Sequence, residues 1–317
     1  MVKLIGWRVV RLVATLLVVS FLTFSLTLFL PGDPINAILP PTAPRTPEIE
    51  AEIREEFRLD DPFLVRYGDW LSKAVRGDLG KSYLTSQPVL TTIKEKLPIT
   101  AELAVLAVLL AVVLAVPIGV LGAYRQGSVA DQVTSGGVQL ALSFAPFIVG
   151  IFLIWIFAIK AGILPATGWA RISDKGLVAN LKGAILPALA LALGQMAFFS
   201  RIVRSDMIAT LQEDYILSAR AKGLKDWYIL FRHALRPSSL SLVTIVGLNL
   251  GALLGGTVAI EQIFAIGGLG RRLLEAIFQR DILVIQGIVV FITTVYVLIN
   301  TFVDVVYLFL DPRIRRR

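Results

Sequence analysis

Few residues in this chain have the types and spacing that covalent chemistry needs. The stretch GDLGKS (77–82) imitates a phosphate-cradling loop, but G-x-x-x-x-G-K-S requires a glycine at position 75, where Val75 stands. No buried strand precedes it. GGLGRR (267–272) falls short of G-x-G-x-x-G and opens no strand–helix unit. The chain has no cysteine, so thiolate nucleophiles, thiolate metal sites and a disulfide framework are excluded. With one histidine, His233, and no H-E-x-x-H, neither a histidine-based metal centre nor a zinc hydrolase is expected. The remaining stretch is ARAKGLKDWYILFRHALRP (219–237), cationic and aromatic, split by one glycine. Its chemistry is non-covalent: lying among lipid headgroups, or seating in a groove on another protein.

The elements around that stretch are apolar. Of 317 residues, 56% are hydrophobic and 17% charged, and the mean hydropathy is +0.76, more apolar surface than a soluble globule of this size can hide. No Asp, Glu, Lys or Arg occurs between Arg11 and Asp33, Glu102 and Arg125, Asp131 and Lys160, Lys182 and Arg201, Arg236 and Glu261, or Asp281 and Asp304. These gaps hold roughly 18 to 28 residues against the ~20 a helix needs to cross a bilayer. The expectation is an all-α integral membrane protein with six transmembrane helices. The first apolar run, Leu12–Leu30, is too long for a signal core and no A-x-A site follows it, so it is expected to be retained as a span.

An even number of spans puts both termini on one side. Lys3, Arg8 and Arg11 before the first span and Arg313 and Arg315–Arg317 after the last predict that side to be cytoplasmic. Arg201–Arg236 falls on the same side. The pI of 9.8 then reports membrane orientation, and nucleic acid is not an expected partner, because the basic residues flank spans and form no aromatic-interleaved patch.

The predicted organisation is a cytoplasmic N-terminus and first span (1–30), a small external cap (31–98), a five-helix core (99–310) and a basic cytoplasmic tail (311–317). PGDP (31–34) ends the first helix. In the cap, Ile49, Ile53 and Phe57 predict an amphipathic helix starting near Thr46, and Phe63, Tyr67, Trp70, Leu71 and Val75 a second one. Leu269, Leu273, Leu274 and Ile277 predict a short helix that dips back toward the membrane. In the cytoplasmic segment at about 214–236, Leu224, Trp227, Phe231, Ala234 and Leu235 share one helical face, while Lys225, Asp226, Arg232 and Arg236 fall on others. Gly223 breaks the chain before this helix, and Pro237 is expected to begin the next span.

The order of these motifs resembles the permease subunits of ATP-binding-cassette importers, in the first permease of the dipeptide/oligopeptide/nickel group. The resemblance runs nearly end to end: PGDP; GDLGKS; VPIGVLGAYRQGSVAD (116–131); GILPATG (162–168); DYILSARAKGLKDWYILFRHALRP (214–237); LLGGTVAIEQIF (253–264); and GGLGRRLLEAIFQRD (267–281). It implies a type I ABC importer permease fold. It also implies that Ala219, Arg220, Ala221, Lys222, Gly223, Leu224, Trp227, Phe231 and Leu235 belong to the EAA loop, a coupling helix that docks on a cytoplasmic ATPase subunit. The chain departs from that pattern at Leu217, Ser218, His233 and Pro237, as the peptide branch does. Implied partners are a second homologous permease, two ATP-binding subunits or one fused ATPase carrying ATP and Mg, and an external solute-binding protein, in a bacterial or archaeal cytoplasmic membrane. No cofactor and no enzymatic activity are expected in this chain.

Span five carries Gly247, Gly251, Gly255 and Gly256, whose spacing permits close helix approach. Asn249, the polar side chain in mid-span, reads either as path lining or as an interhelical hydrogen bond. Glu261 reads as a solvated cap, or by the resemblance as a gate contact, and Gly255 goes with it. Asp304 reads as structural. An ion-gradient transporter or channel is the competing class, and would place ionisable pairs or broken helices at mid-membrane.

Overall fold

The computed structural model describes residues 2–29, 35, 46–56, 60–82 and 84–310. PGDP and the basic tail lie outside them. Regular structure among the described residues is helical, apart from one isolated bridge between Lys81 and Pro88. Each of the six charge-free runs is helical over most of its described residues. Val89–Tyr124 (α4), Ile172–Leu211 (α7), the continuous run Asp226–Gly256 and Ile282–Leu310 (α13) are individually long and apolar enough to cross a bilayer. The first helix, Val2–Phe29 (α1), carries an apolar stretch at Val10–Ser25.

The run between Asp131 and Lys160 departs from a single straight span. It forms Val129–Ser143 (α5) and Pro146–Leu153 (α6), the latter continued by a π-helical turn to Lys160, and the two limbs bend by 101°. Pro146 explains the break. A proline ring disfavours the helical conformation in the residue before it, and Ala145 (ψ 140) and Phe144 (ψ 131) are both extended. Pro146 then restarts the helix at its first position, where a missing N–H costs nothing.

Contacts divide the chain into two compact units, residues 1–98 with 267–298, and 99–266 with 299–317. The 267–298 segment thus groups with the cap residues and not with the rest of the predicted five-helix core. In the first unit, Pro47–Glu56 (α2) starts where expected, with the Ile49 N–H reaching Thr46 Oγ1 at 3.4 Å. The side chains of Ile53 and Phe57 lie outside the described residues. Phe63–Val75 (α3) sets Phe63, Tyr67 and Trp70 against Phe21 and Phe24 of α1, mostly edge-on or tilted. Val75 is exposed, and Ala74 packs inward in its place.

GDLGKS is no phosphate loop in three dimensions. Gly77 and Gly80 take positive φ, no helix starts until Val89, and the buried Ser82 hydroxyl donates to the Asp281 carboxylate just before α13. The helix Leu269–Gln279 (α12) buries Leu269 and Ala276, while Ile277 is exposed.

In the second unit α7 is central, packing on α5, α6 and Leu235–Gly256 (α10). Its inward face mixes small with large side chains: Ala184, Ala188, Ala190, Ala192 and Ala197 are buried beside Leu186, Phe199 and Met207. Small side chains matter here because lipid tails are as apolar as leucine, so helices associate through close packing and not through escape from water. α4 and α7 come close at Gly119, where a β-carbon would lie 2.7 Å from Val203 and 2.8 Å from the Ser200 carbonyl.

Candidate functional site

The segment following α7 folds as Asp214–Ala221 (α8), a turn at Lys222–Gly223, and then helix from Asp226 onward. Gly223 sits at φ +74°, the left-handed region in which a β-carbon is strained, and its N–H closes the turn onto the Arg220 carbonyl at 2.9 Å. The expected break at Pro237 does not occur. Asp226–Tyr228 (α9), a π-helical turn Ile229–Ala234 and α10 form one uninterrupted run, with Pro237 inside the first turn of α10. Proline has no N–H for the carbonyl four residues back, here His233. That carbonyl accepts instead from the Tyr215 hydroxyl of α8, at 3.4 Å. Burial raises the Tyr215 phenol above its ordinary value, and the Glu213 charge adds to this, so the donating form is retained.

The helical face read as one stripe is divided in the fold. Ile216, Ala219, Ile229, Leu230 and Ala234 turn inward onto a core that includes Val203 and Met207, with Leu235 half-buried at its edge. Trp227 is 62% exposed and Phe231 55%, and Leu224, Tyr228, Tyr215 and Leu217 are exposed as well. The error was to group Ala234 with Trp227 and Phe231; the π-turn alters the angular advance per residue, so a 3.6-residue wheel misplaces positions beyond Ile229. Arg220, Ala221 and Lys222 are also exposed. An apolar aromatic surface bordered by Arg220, Lys222 and Lys225 is therefore presented outward, on a backbone pinned beneath.

Glu261 is not a solvated cap. In Val258–Ile263 (α11) it is fully buried, and its Oε1 accepts from Thr100 of α4 at 2.6 Å and from Thr257 at 3.0 Å. Asn249 donates to the Ile245 carbonyl of its own helix at 2.9 Å. Gly247 is where spans five and six touch, since any β-carbon would run into Val303. Gly251 is buried, whereas Gly255 and Gly256 are exposed and do not share that packing role. The Asp304 side chain lies outside the described residues.

Two polar links escaped the sequence reading. Arg204 of α7 grips Asp131 of α5 with Nε and Nη2, each at 2.8 Å, and the Gly127 N–H joins at 3.0 Å. The Tyr124 hydroxyl, at the end of α4, donates to Asp226 at 2.8 Å, tying the start of the 226–256 run to span two. The one available signal was that Tyr124, Asp131 and Arg204 stand within three residues of the ends of charge-free runs; Asp226, ten residues before Arg236, carried none. Sequence separations of 73 and 102 residues carry no spacing rule that would have paired them.

A family model described as binding-protein-dependent transport system inner membrane component matches residues 115–316, and a companion model for the N-terminal part of such components matches 1–104. The chain belongs to this permease family. A putative peptide transport system permease protein of Brucella abortus (strain 2308) is 40% identical over 315 residues, covering 99% of both chains. A dipeptide transport system permease protein of Alkalihalophilus pseudofirmus is 35% identical over 97% of this chain and 98% of its own. A glutathione transport system permease protein of Shigella flexneri is 32% identical over 97% of each. Among solved structures, a chain of the MetNI methionine ABC transporter in inward-facing conformations superposes with a TM-score of 0.53 at 19% identity, over 70% of this chain and 98% of that one. That likeness concerns the fold, and it agrees with the type I importer permease architecture read from the motifs. This ABC importer permease is thus a multi-pass membrane subunit that works with other components of its transporter.

Proposed function

We propose that this permease forms one half of the translocation path of an ATP-driven importer for di- or oligopeptides. A second homologous permease supplies the other half. Cytoplasmic ATP-binding subunits, separate or fused, bind ATP and Mg, and an external solute-binding protein delivers the cargo. Both termini and the 214–236 segment lie in the cytoplasm. The carrying observation is the outward aromatic face of Leu224, Trp227 and Phe231 on a segment continuous with span five. Motion imposed on that face passes along one helix into the membrane without crossing a flexible joint. For nucleotide to drive transport, its binding must reverse the preference between inward-open and outward-open states.

The names of the relatives support peptide cargo, glutathione being itself a peptide. An ion-gradient transporter is favoured by two features, the break at 144–146 and the buried Glu261. The two readings separate in proteoliposomes holding this chain with its sister permease, ATPases and binding protein. Peptide accumulation that needs internal ATP and survives collapse of ion gradients supports the importer. Accumulation without the ATPases sinks it.

A further inference from the structure

Between α4, α5 and α7 lies a cavity of about 390 Å³, lined by Ile118 and Gly119, by Thr134, Ser135, Val138 and Gln139, and by Ser200, Arg201, Arg204 and Ser205. Its floor is the close approach of α4 to α7 at Gly119. The charges do not cancel. Arg204 is committed to Asp131, which also accepts from the Gly127 N–H and, at 3.4 Å, from the Ser135 hydroxyl. The Thr134 and Ser200 hydroxyls are spent on carbonyls of their own helices. Three donors have no bond among the described residues: the Arg201 guanidinium, the Ser205 hydroxyl one helical turn along α7, and the Gln139 amide on the facing wall. One unneutralised guanidinium with two neutral donors facing one hollow is the chemistry of an oxoanion site.

Depth in the membrane selects the anion. The uncharged part of α7 between Lys182 and Arg201 holds 18 residues. At 1.5 Å per residue it covers roughly 27 Å, close to a hydrocarbon thickness. Arg201 therefore stands at the headgroup boundary. We infer that this cavity binds the phosphate of an anionic phospholipid, with Arg201, Ser205 and Gln139 as its donors.

The full chain is reconstituted in nanodiscs of equal phosphatidylglycerol and phosphatidylcholine, extracted in mild detergent, and the retained lipid measured by mass spectrometry. Phosphatidylglycerol is expected to be retained preferentially, and Arg201→Gln to lower that retention about fivefold, the weight of one arginine at an anionic surface. Arg201→Lys keeps most of it. Arg201 is exposed and unpaired, so the Gln variant is expected to elute and melt like the parent; should it misfold, Gln139→Leu removes a donor from the other wall and is read the same way. Equal retention of the two lipids overturns the inference, as does an unchanged value in a folded Arg201→Gln chain. Displacement by millimolar inorganic phosphate, or by dialanine, overturns the lipid as occupant in favour of a soluble anion.

Discussion

The division of the coupling segment into an outward and an inward face makes a sharp test, because neighbouring apolar residues should fail in opposite ways. Trp227 is largely exposed, so Trp227→Asp removes no internal packing and should change the stability of the isolated permease by no more than about 0.5 kcal/mol. If its indole is an anchor for an ATPase groove, truncation to a charge costs about 2 kcal/mol or more of docking energy, roughly a 30-fold loss in affinity. Ile229 stands two residues away and is 1% exposed, against the α7 core. Ile229→Asp buries an unpaired carboxylate, a change of about 3 kcal/mol or more, and should lower the melting temperature of the permease by itself. The assay has two arms: thermal unfolding of the purified permease, and co-purification with the ATPase subunits together with binding-protein-stimulated ATP hydrolysis. The expected pattern is a normal melt with lost ATPase for Trp227→Asp, and a depressed melt for Ile229→Asp. A Trp227→Asp permease that retains its ATPases at parental affinity refutes the docking face. One that melts as early as Ile229→Asp refutes the described orientation of the segment.

Other expectations follow from single contacts. Gly223→Pro fixes φ near −65° where the turn needs +74° and removes the N–H bound to Arg220; uptake in proteoliposomes should be lost with all spans still inserted, and Gly223→Ala should cost about 1–2 kcal/mol in a melt. Gly119→Val overfills the α4–α7 contact and should destabilise by about 1–3 kcal/mol in detergent unfolding, whereas the same change at the open Gly136 should be near neutral. Glu261→Ala strands the Thr100 and Thr257 hydroxyls and should cost about 1–3 kcal/mol, most of it recovered by Glu261→Gln, which keeps an acceptor in place. Asp131→Asn weakens the Arg204 fork by about 1–2 kcal/mol, less than a fully buried pair because the Arg204 side chain is a third exposed.

Charge spacing alone was enough to locate the apolar helices, because a charged group in hydrocarbon is so unfavourable that the gaps between charges trace the membrane segments. Local residue pattern exposed GDLGKS as a decoy, since the absent glycine at position 75 is a local matter, and identified Gly223 as a break, since positive φ is a property of one residue. The order of motifs carried the family, which the comparisons bear out. What sequence could not decide was anything set by another part of the chain. Pro146 stands at a 101° bend while Pro237 lies in an unbroken run, where the His233 carbonyl is met by a Tyr215 hydroxyl from a different helix. Glu261 stands beside a span end, where solvation was the natural expectation, yet Thr100 of α4, 161 residues earlier, receives its carboxylate in a dry site. Which aromatic residues of the coupling segment face outward depends on Ile216, Ile229 and Leu230 finding Val203 and Met207 of α7 to pack against. Local conformational preference and transfer energy are written residue by residue, whereas burial and pairing arise only when distant helices meet.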